Sequence, residues 1–442
     1  MTNHLKGGKL GILVGGGPAP GINGVISSVT IEANAHGMEV VGFQNGFKHL
    51  TEGSVTHNRR LFNEEVSASY LRGGSILGTS RTNPAKNPAH MAKVLEVLQK
   101  LGITCLVTIG GDDTAFSASQ VAARVGPAAP RGTGPTSFLR VCHVPKTIDN
   151  DLPLPEGTPT FGFETARHLG VLTTRALYAD AKTTGRWYII ISMGRAAGHL
   201  ALGIGKASAS TLTLIPEEFR DTTITLPLLA DIIIGSILKR KLQGKDYGVV
   251  VLAEGLLESI GEGGLLDAMG GEAGLARYGS IERDDHGHLR LGEIEFGRIV
   301  KDYLTQRLTG MGHKMTFIDK DMGYELRSAD PIPFDAEYTR DLGYGAVKFL
   351  NSDAATQFGA IVSFVGGRMI PLPFDSMIDP VTKRMRPRKV NVDSESFHCA
   401  RRYMIRLEKA DTEDPKRLAD LSNLVKMTPE QFVERFRDVL KI

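Results

Sequence analysis

Short apolar runs alternate with longer amphipathic stretches along most of the chain. Lys9 to Val14 reads as a buried strand, followed by a Gly/Pro turn and a helical stretch through Ala33. The same rhythm returns at Cys105 to Ile109 with a helix from Thr114, and at Trp187 to Ser192 with a helix from Gly198. It recurs at Arg140 to Val144, at Thr211 to Ile215 before a helix over Leu226–Leu242, and at Gly248 to Leu252. β-Branched runs of five or six residues, separated by helical patterns, predict βαβ units and largely parallel sheets. The expected fold class is therefore α/β, with two Rossmann-like domains. Gly126 to Ser137 and Leu257 to Leu291 are rich in Gly, Pro or charge and are expected as surface insertions. The segment from Asp411 to Ile442 is charged and helical in pattern, and no repeat of solenoid length occurs.

Composition narrows the function classes. Of 442 residues, 41% are apolar and 23% charged, enough to fold and too mixed for a disordered chain. No run of about 18 apolar residues predicts a membrane span, and the first residues lack a secretory signal core. Cys105, Cys142 and Cys399 are the only cysteines and show no metal-ligand spacing, which fits a reducing cytoplasm. A dispersed net charge of +3 gives no reason to expect nucleic acid. The 51 glycines stand out, because many fall at strand ends, where open α/β folds bind ligands.

Five clusters carry candidate chemistry. Gly15-Gly16-Gly17-Pro18-Ala19-Pro20-Gly21-Ile22-Asn23 joins a strand to a helix. Its free N–H groups suit an anion, although a tight turn explains it equally well and it matches neither GxGxxG nor Walker A. Gly110-Gly111-Asp112-Asp113-Thr114 places two carboxylates at a helix start. Capping accounts for one of them, and a Mg²⁺ bridging phosphate oxygens accounts for the pair. Pro145-Lys146-Thr147-Ile148-Asp149-Asn150-Asp151 follows a strand and sets a cation beside carboxylates, as phosphoryl transfer to an alcohol requires; a polar turn is the plainer alternative. Met193-Gly194-Arg195 ends a strand with an arginine suited to phosphate, or simply a solvated rim. Glu254, and Tyr324 to Arg327, offer hydrogen bonds and charge for a sugar phosphate but are individually ordinary surface types. The histidines show no HxxxH or HExxH spacing.

In this order, GGGPAPGIN, LGTSR, IGGDDT, PKTIDND, MGR, AEG and GYELR resemble the phosphofructokinase family, from about Lys9 to Tyr344. The resemblance implies two α/β domains with a sugar phosphate and a phosphoryl donor meeting in the cleft between them. It implies a donor domain over residues 1–160 and a sugar-phosphate domain over 161–400. Part of the chain after about 340 crosses back, and 401–442 forms a helical extension. Carried over by motif, Gly16 and Arg81 bind the donor phosphates, Asp112 binds Mg²⁺, and Asp149 is the base for the sugar 1-hydroxyl. Thr147, Ile148, Asp149, Met193, Gly194, Arg195 and Glu254 line the sugar phosphate. Tyr324, Glu325, Leu326 and Arg327 close it, with Arg327 on the 6-phosphate. Arg186 matches an arginine that family members supply to a neighbouring subunit, which implies a homodimer or homotetramer.

The donor follows from two departures. ATP-using members carry GGDG and PGTIDND, where this chain has Asp113 and Lys146, the signature of the pyrophosphate-dependent branch. A carboxylate at ~5 Å from an α-phosphate repels it by roughly 3 kcal/mol at an effective dielectric near 20, about two orders of magnitude in binding. Lys146 supplies positive charge to the moving phosphoryl and its phosphate leaving group. The expected reaction is thus transfer from pyrophosphate to fructose 6-phosphate, and the family resemblance implies that it is reversible. An ATP-dependent enzyme is the nearest rival, and a silent regulatory subunit the next, the latter opposed by Asp112, Asp149 and Arg195. Tyr324 and Ile318 replace a histidine and an arginine of the ATP-type pattern; Lys320 is a candidate for the missing charge, and Lys86, in SRTNPAK, a candidate to reach the donor.

Overall fold

The computed structural model describes residues 5–125, 139–283, 289 and 291–442. The loop expected at Gly126 to Ser137 lies outside them, as do His286 and His288. Eleven strands are found among the described residues: β1 Lys9–Val14, β2 Glu39–Phe43, β3 Asn58–Arg60, β4 Cys105–Gly110, β5 Arg140–Pro145, β6 Trp187–Ser192, β7 Leu212–Leu214, β8 Gly248–Ala253, β9 Phe317–Met322, β10 Ala360–Val365 and β11 Arg368–Pro373. They form a seven-stranded sheet, β11-β10-β5-β4-β1-β2-β3, and a four-stranded sheet, β7-β8-β6-β9. The chain divides into two compact units, Met1–Ala166 with Tyr324–Arg388, and Arg167–Gly323 with Lys389–Ile442.

In the first unit, β10, β5, β4, β1 and β2 run parallel, and β11 and β3 are antiparallel edges. Alternation along β1 explains the two layers. Leu10, Ile12 and Val14 pack with Val25, Ile26 and Val29 of the helix Ile22–Ala35 and with Leu342 and Ala346 of the helix Pro333–Leu350. Leu13 points the other way, into a core shared with Val94 and Val97 of the helix Pro88–Lys100 and Ala115 and Ala118 of the helix Asp112–Val125. A parallel sheet covered on both faces needs near-continuous apolar strands, which is how Cys105–Gly110 reads.

In the second unit all four strands are parallel. The helix Leu226–Leu242 is buried almost all round because the sheet covers one side and the C-terminal segment another. Leu407, Leu421, Val425, Phe432 and Phe436 enter the same core as Ile233 and Ile237, so 401–442 is integral to this unit rather than an extension of it. A Cβ on Gly235 would stand 2.8 Å from Leu407 Cβ, so the helix needs glycine there. Arg435 binds the buried Asp231 carboxylate with both terminal nitrogens, and Lys239 lies 2.7 Å from the buried Asp411. Burial would raise the Asp411 pKa, but Lys239, the Glu408 N–H and Arg417 hold it below the ordinary value.

The surface insertion expected at Leu257 to Leu291 is corrected. Leu257, Leu265, Leu275, Tyr278 and Leu289 are buried in the core of the second unit. The helix Gly255–Met269 is broken at Gly261, whose φ of 71° is left-handed, and this break scrambles the periodicity that would have revealed a buried face.

Candidate active site

The first unit gathers its polar loops at the carboxyl ends of β1, β4 and β5. Gly15 N–H donates to Ile109 O at 2.9 Å and Gly16 N–H to Ser80 O at 2.8 Å, which pins the glycine loop beside the segment carrying Arg81. The glycines are required by close approach. A Cβ on Gly15 or Gly110 would meet Thr114 at 2.3 or 2.4 Å, and Gly16 has φ +82°. Asn23, almost fully buried, donates to Arg72 O at 2.9 Å and accepts from Ile76 N–H at 2.9 Å, so the end of GGGPAPGIN braces the segment leading to Arg81.

The GGDD turn opens the helix Asp112–Val125, two residues before the expected start at Thr114. Asp112 is half-buried and Asp113 exposed. Asn83 donates to the Asp113 carboxylate at 3.2 Å and accepts from Ser117 at 3.0 Å, which fixes the carboxylate's direction. Behind the turn, His143 is completely buried; its Nε2 lies 2.9 Å from Gly110 O and its Nδ1 2.7 Å from Thr108 Oγ1. A carbonyl only accepts, so Nε2 carries the proton and Nδ1 accepts from the threonine. Burial pulls the His143 pKa down to about 3, helped by the Lys146 charge and opposed by its bond to Gly110. Gly110 O also accepts from Lys146 N–H at 2.8 Å, so one carbonyl ties together the GGDD and PKTIDND turns.

Lys146 is only 4% exposed, and its ammonium donates to Gly17 O. A Cβ on Gly16 would be 3.2 Å from that ammonium. Sequence elements 129 residues apart thus place the extra cation on the glycine loop. Arg327 joins them: its guanidinium carbon would lie 3.3 Å from a Cβ on Gly17, and it stacks 5.2 Å from the centre of the Tyr324 ring. Tyr324 is 77% exposed and Leu326 buried, while Glu325 is exposed. The four residues of GYELR after the glycine therefore fold with the glycine loop in the first unit.

The PKTIDND turn is held from within and from far along the chain. Thr147 Oγ1 accepts from Asp149 N–H at 3.0 Å, and Thr160 donates to Thr147 O at 2.7 Å. Thr147, Ile148 and Asp149 are all buried. Asn150 has φ +57°, a left-handed conformation that asparagine tolerates. Arg388 donates to Asn150 O from Nε at 3.1 Å and Nη2 at 3.0 Å, to the Asn150 side-chain oxygen, and to Thr158 O at 2.8 Å. Its own N–H reaches Asp151 O at 2.7 Å. Burial lowers the Arg388 pKa from its ordinary value, with the Asp151 carboxylate opposing.

In the second unit, Met193 to Arg195 follow β6. Glu254 Oε2 accepts from Gly194 N–H at 3.2 Å and Arg195 N–H at 3.3 Å, which fixes the turn, and Arg195 takes φ +47°. A Cβ on Gly255 would meet Arg195 O at 2.5 Å, which explains the glycine after Glu254. Lys389 donates to Ala196 O, and Glu217 accepts from Gly198 N–H at 3.0 Å. Arg186 stands at the other end of β6, 3.9 Å from Asp180, so the strand separates it from Met193–Arg195. Ile318 and Lys320 lie on β9. Arg81 and Lys86 are exposed. Among the described residues no three His, Cys, Asp or Glu side chains form a metal cage, and no helix is long and apolar enough to cross a membrane.

Motif reading did not find roles for Asn23, Asn83, His143, Glu217 or Arg388. Only Asn23 lay within a noted motif; the others act through hydrogen bonds to distant backbone and side-chain atoms that no local pattern signals.

Comparison with known proteins places the chain in a family. The family model described as Phosphofructokinase matches residues 9–350. The chain is 52% identical over 428 residues to the pyrophosphate–fructose 6-phosphate 1-phosphotransferase of Thermotoga maritima, covering 97% of this chain and 98% of that one. It is 48% identical to the protein of the same name in Naegleria fowleri, covering 97% and 95%. In fold it is similar to the pyrophosphate-dependent phosphofructokinase of Marinobacter aquaeolei, with a TM-score of 0.62 at 18% identity over 95% of this chain and 92% of that one. The glycine loop, the two acidic turns and the full-length relatives agree, and the chain belongs to the phosphofructokinase family.

Proposed function

We infer that the chain transfers a phosphoryl group from pyrophosphate to the 1-hydroxyl of fructose 6-phosphate, giving fructose 1,6-bisphosphate and phosphate. Full-length relatives of that activity at 52% and 48% identity support it. The observation that carries the donor assignment is the placement of the buried Lys146 ammonium on the glycine loop, with the Asp113 carboxylate fixed by Asn83 at the neighbouring turn.

In this scheme the first unit handles the donor. Gly16 and Arg81 receive diphosphate oxygens, Lys146 neutralises charge on the moving phosphoryl and the leaving phosphate, and Asp113 excludes a longer polyphosphate. Asp149 accepts the 1-hydroxyl proton as the oxygen attacks phosphorus. Thr147 and Ile148 line the sugar beside it. To the second unit fall Met193, Gly194 and Arg195 for the sugar phosphate and the charge in flight, and Glu254 for the sugar. Because Glu254 also holds the Met193–Arg195 turn, its substitution disturbs sugar binding twice over. Tyr324, Glu325, Leu326 and Arg327 complete sugar-phosphate binding. The approach of the Arg327 guanidinium to Gly17 also supports a part in holding the donor.

Mg²⁺ fits the donor set. It is usually held by one or two carboxylates together with substrate phosphates rather than by a protein cage, and Asp112, half-buried at a helix start, supplies one. When bound there, the ion would neutralise phosphate oxygens. Arg186, at the amino end of β6, supports a homodimer or homotetramer in which it serves a neighbouring copy. Three free cysteines, two of them buried, fit a cytoplasmic protein.

A coupled assay of the purified protein with fructose 6-phosphate and Mg²⁺, comparing pyrophosphate with ATP, tests the assignment. Turnover with pyrophosphate and little with ATP is expected. Preference for ATP would replace the donor while leaving the acceptor in place.

A further inference from the structure

Asp149 sits in a turn that one residue far along the chain, Arg388, holds by several hydrogen bonds. Asn150, the next residue, is left-handed, a conformation asparagine tolerates and that its hydrogen bonds here hold in place. Two groups provide these bonds. Thr160 N–H donates to the Asn150 side-chain oxygen at 3.0 Å. Arg388 spreads its planar guanidinium over the turn, with Nε and Nη2 on Asn150 O, Nη2 on the Asn150 side chain, and Nη1 on Thr158 O. The Nη1 group also faces Leu154 O at 3.4 Å and Pro155 O at 3.5 Å. Arg388 N–H closes the arrangement on Asp151 O at 2.7 Å. A half-buried arginine whose planar fork is aimed at backbone carbonyls in this way fixes the path of the main chain.

We propose that Arg388 is a positioning residue for phosphoryl transfer: it holds the Asp149–Asn150–Asp151 turn so that the Asp149 carboxylate meets the attacking hydroxyl in a productive geometry. The proposal rests on Asp149 being the base. Displacing a general base by an ångström or less affects the transition state more than the bound ground state, so the loss should fall on kcat rather than on KM. Lysine in place of Arg388 keeps a positive charge and most of the packing but has one nitrogen where arginine has three, so it cannot hold Asn150 and Thr158 together.

The test is a double-mutant cycle on the full chain with pyrophosphate and fructose 6-phosphate, using Arg388→Lys, Asp149→Asn and the pair. Arg388→Lys should melt within a few degrees of wild type, lose about 10–100-fold in kcat and keep KM for both substrates within about twofold. In the Asp149→Asn background the same change should cost almost nothing, because there is no base left to position. A kcat close to wild type in Arg388→Lys overturns the proposal. So does an equal fold-loss in both backgrounds, which would mark a general structural role. Near-normal activity of Asp149→Asn alone would instead overturn the assignment of the base, so the two failures are separable. If Arg388→Lys does not fold, Asn150→Gly replaces it: glycine accepts the left-handed φ but removes the side-chain oxygen that Arg388 and Thr160 hold. The same loss confined to kcat is then expected, and unchanged kcat overturns the proposal.

Discussion

Lys146 donates its ammonium proton to the carbonyl oxygen of Gly17, joining the turn after β5 to the glycine loop after β1. This contact sets a buried cation on the glycine loop, while Asn83 holds the Asp113 carboxylate at the turn beside it, and the proposed donor preference is tested at these two residues. Asp113→Gly should raise kcat/KM for ATP by about two orders of magnitude, the equivalent of ~3 kcal/mol of relieved repulsion, with only a moderate fall in pyrophosphate rate. Lys146→Gly should lower pyrophosphate turnover steeply and gain little with ATP until Asp113 is also removed, so the two changes should be non-additive. Steady-state kinetics with both donors at saturating Mg²⁺ decide it. Strong ATP use by the unmodified enzyme would defeat the donor assignment.

Asp149 is buried, and its own N–H is tied to Thr147 Oγ1 at 3.0 Å, so the turn keeps its shape when the carboxylate is lost. Asp149→Ser should therefore reduce kcat by about 10²–10⁴-fold without a comparable loss of thermal stability. Measuring kcat together with the melting temperature separates chemistry from folding. A variant retaining more than half the wild-type rate would remove Asp149 from the role of base.

The strands and the motif turns were legible because their determinants are local. Lys9 to Val14 and Trp187 to Ser192 are apolar runs bounded by polar or glycine residues, and the helix over Leu226–Leu242 falls where its pattern places it. The edge strands were not. Asn58–Arg60 has three polar residues, and Arg368–Pro373 carries two prolines on an exposed antiparallel edge, so neither shows a buried run. The segment Leu257–Leu291 misled because Gly261 interrupts a buried helix. At the candidate site, the motifs pointed to Asp112, Lys146 and Asp149, whereas Arg388, His143 and Asn83 enter by hydrogen bonds to residues 30 or more positions away. Such partners are fixed by topology, and a linear pattern does not encode them.

His143 gives the first unit an acid sensitivity of known sign. In the folded chain its pKa is pulled to about 3, against an ordinary value of 6.5, so between these limits the unfolded state binds a proton that the folded state refuses. Stability is then full above pH 6.5 and falls as the pH drops toward 3, by at most about 5 kcal/mol. His143→Gln retains a donor for Gly110 O but cannot titrate, so its urea midpoint should decline less steeply from pH 7 to pH 4 than that of wild type. Parallel slopes in the two proteins would show that another group controls acid unfolding.

Arg186 cannot serve the turn that ends its own strand. It precedes β6, while Met193 to Arg195 follow it, and six strand residues at about 3.3 Å each put roughly 20 Å between the two ends. Its guanidinium rests 3.9 Å from Asp180, whose carboxylate is also engaged at 2.6 Å by the Tyr188 hydroxyl. A half-buried arginine with this 3.9 Å ion pair is a candidate to serve a second copy of the chain. If each site uses Arg186 from a neighbour, Arg186→Ala and Asp149→Ser should each be nearly inactive alone, yet complement each other when mixed. A hybrid dimer contains one site with both residues intact and one with neither. Random exchange between equal amounts makes half the dimers hybrid, so activity should return to about a quarter of wild type. Light scattering should show no active monomer, and dilution below the dissociation constant should abolish the recovered rate. Full activity in a strictly monomeric fraction, or no recovery after subunit exchange has been demonstrated, would rule out a shared site.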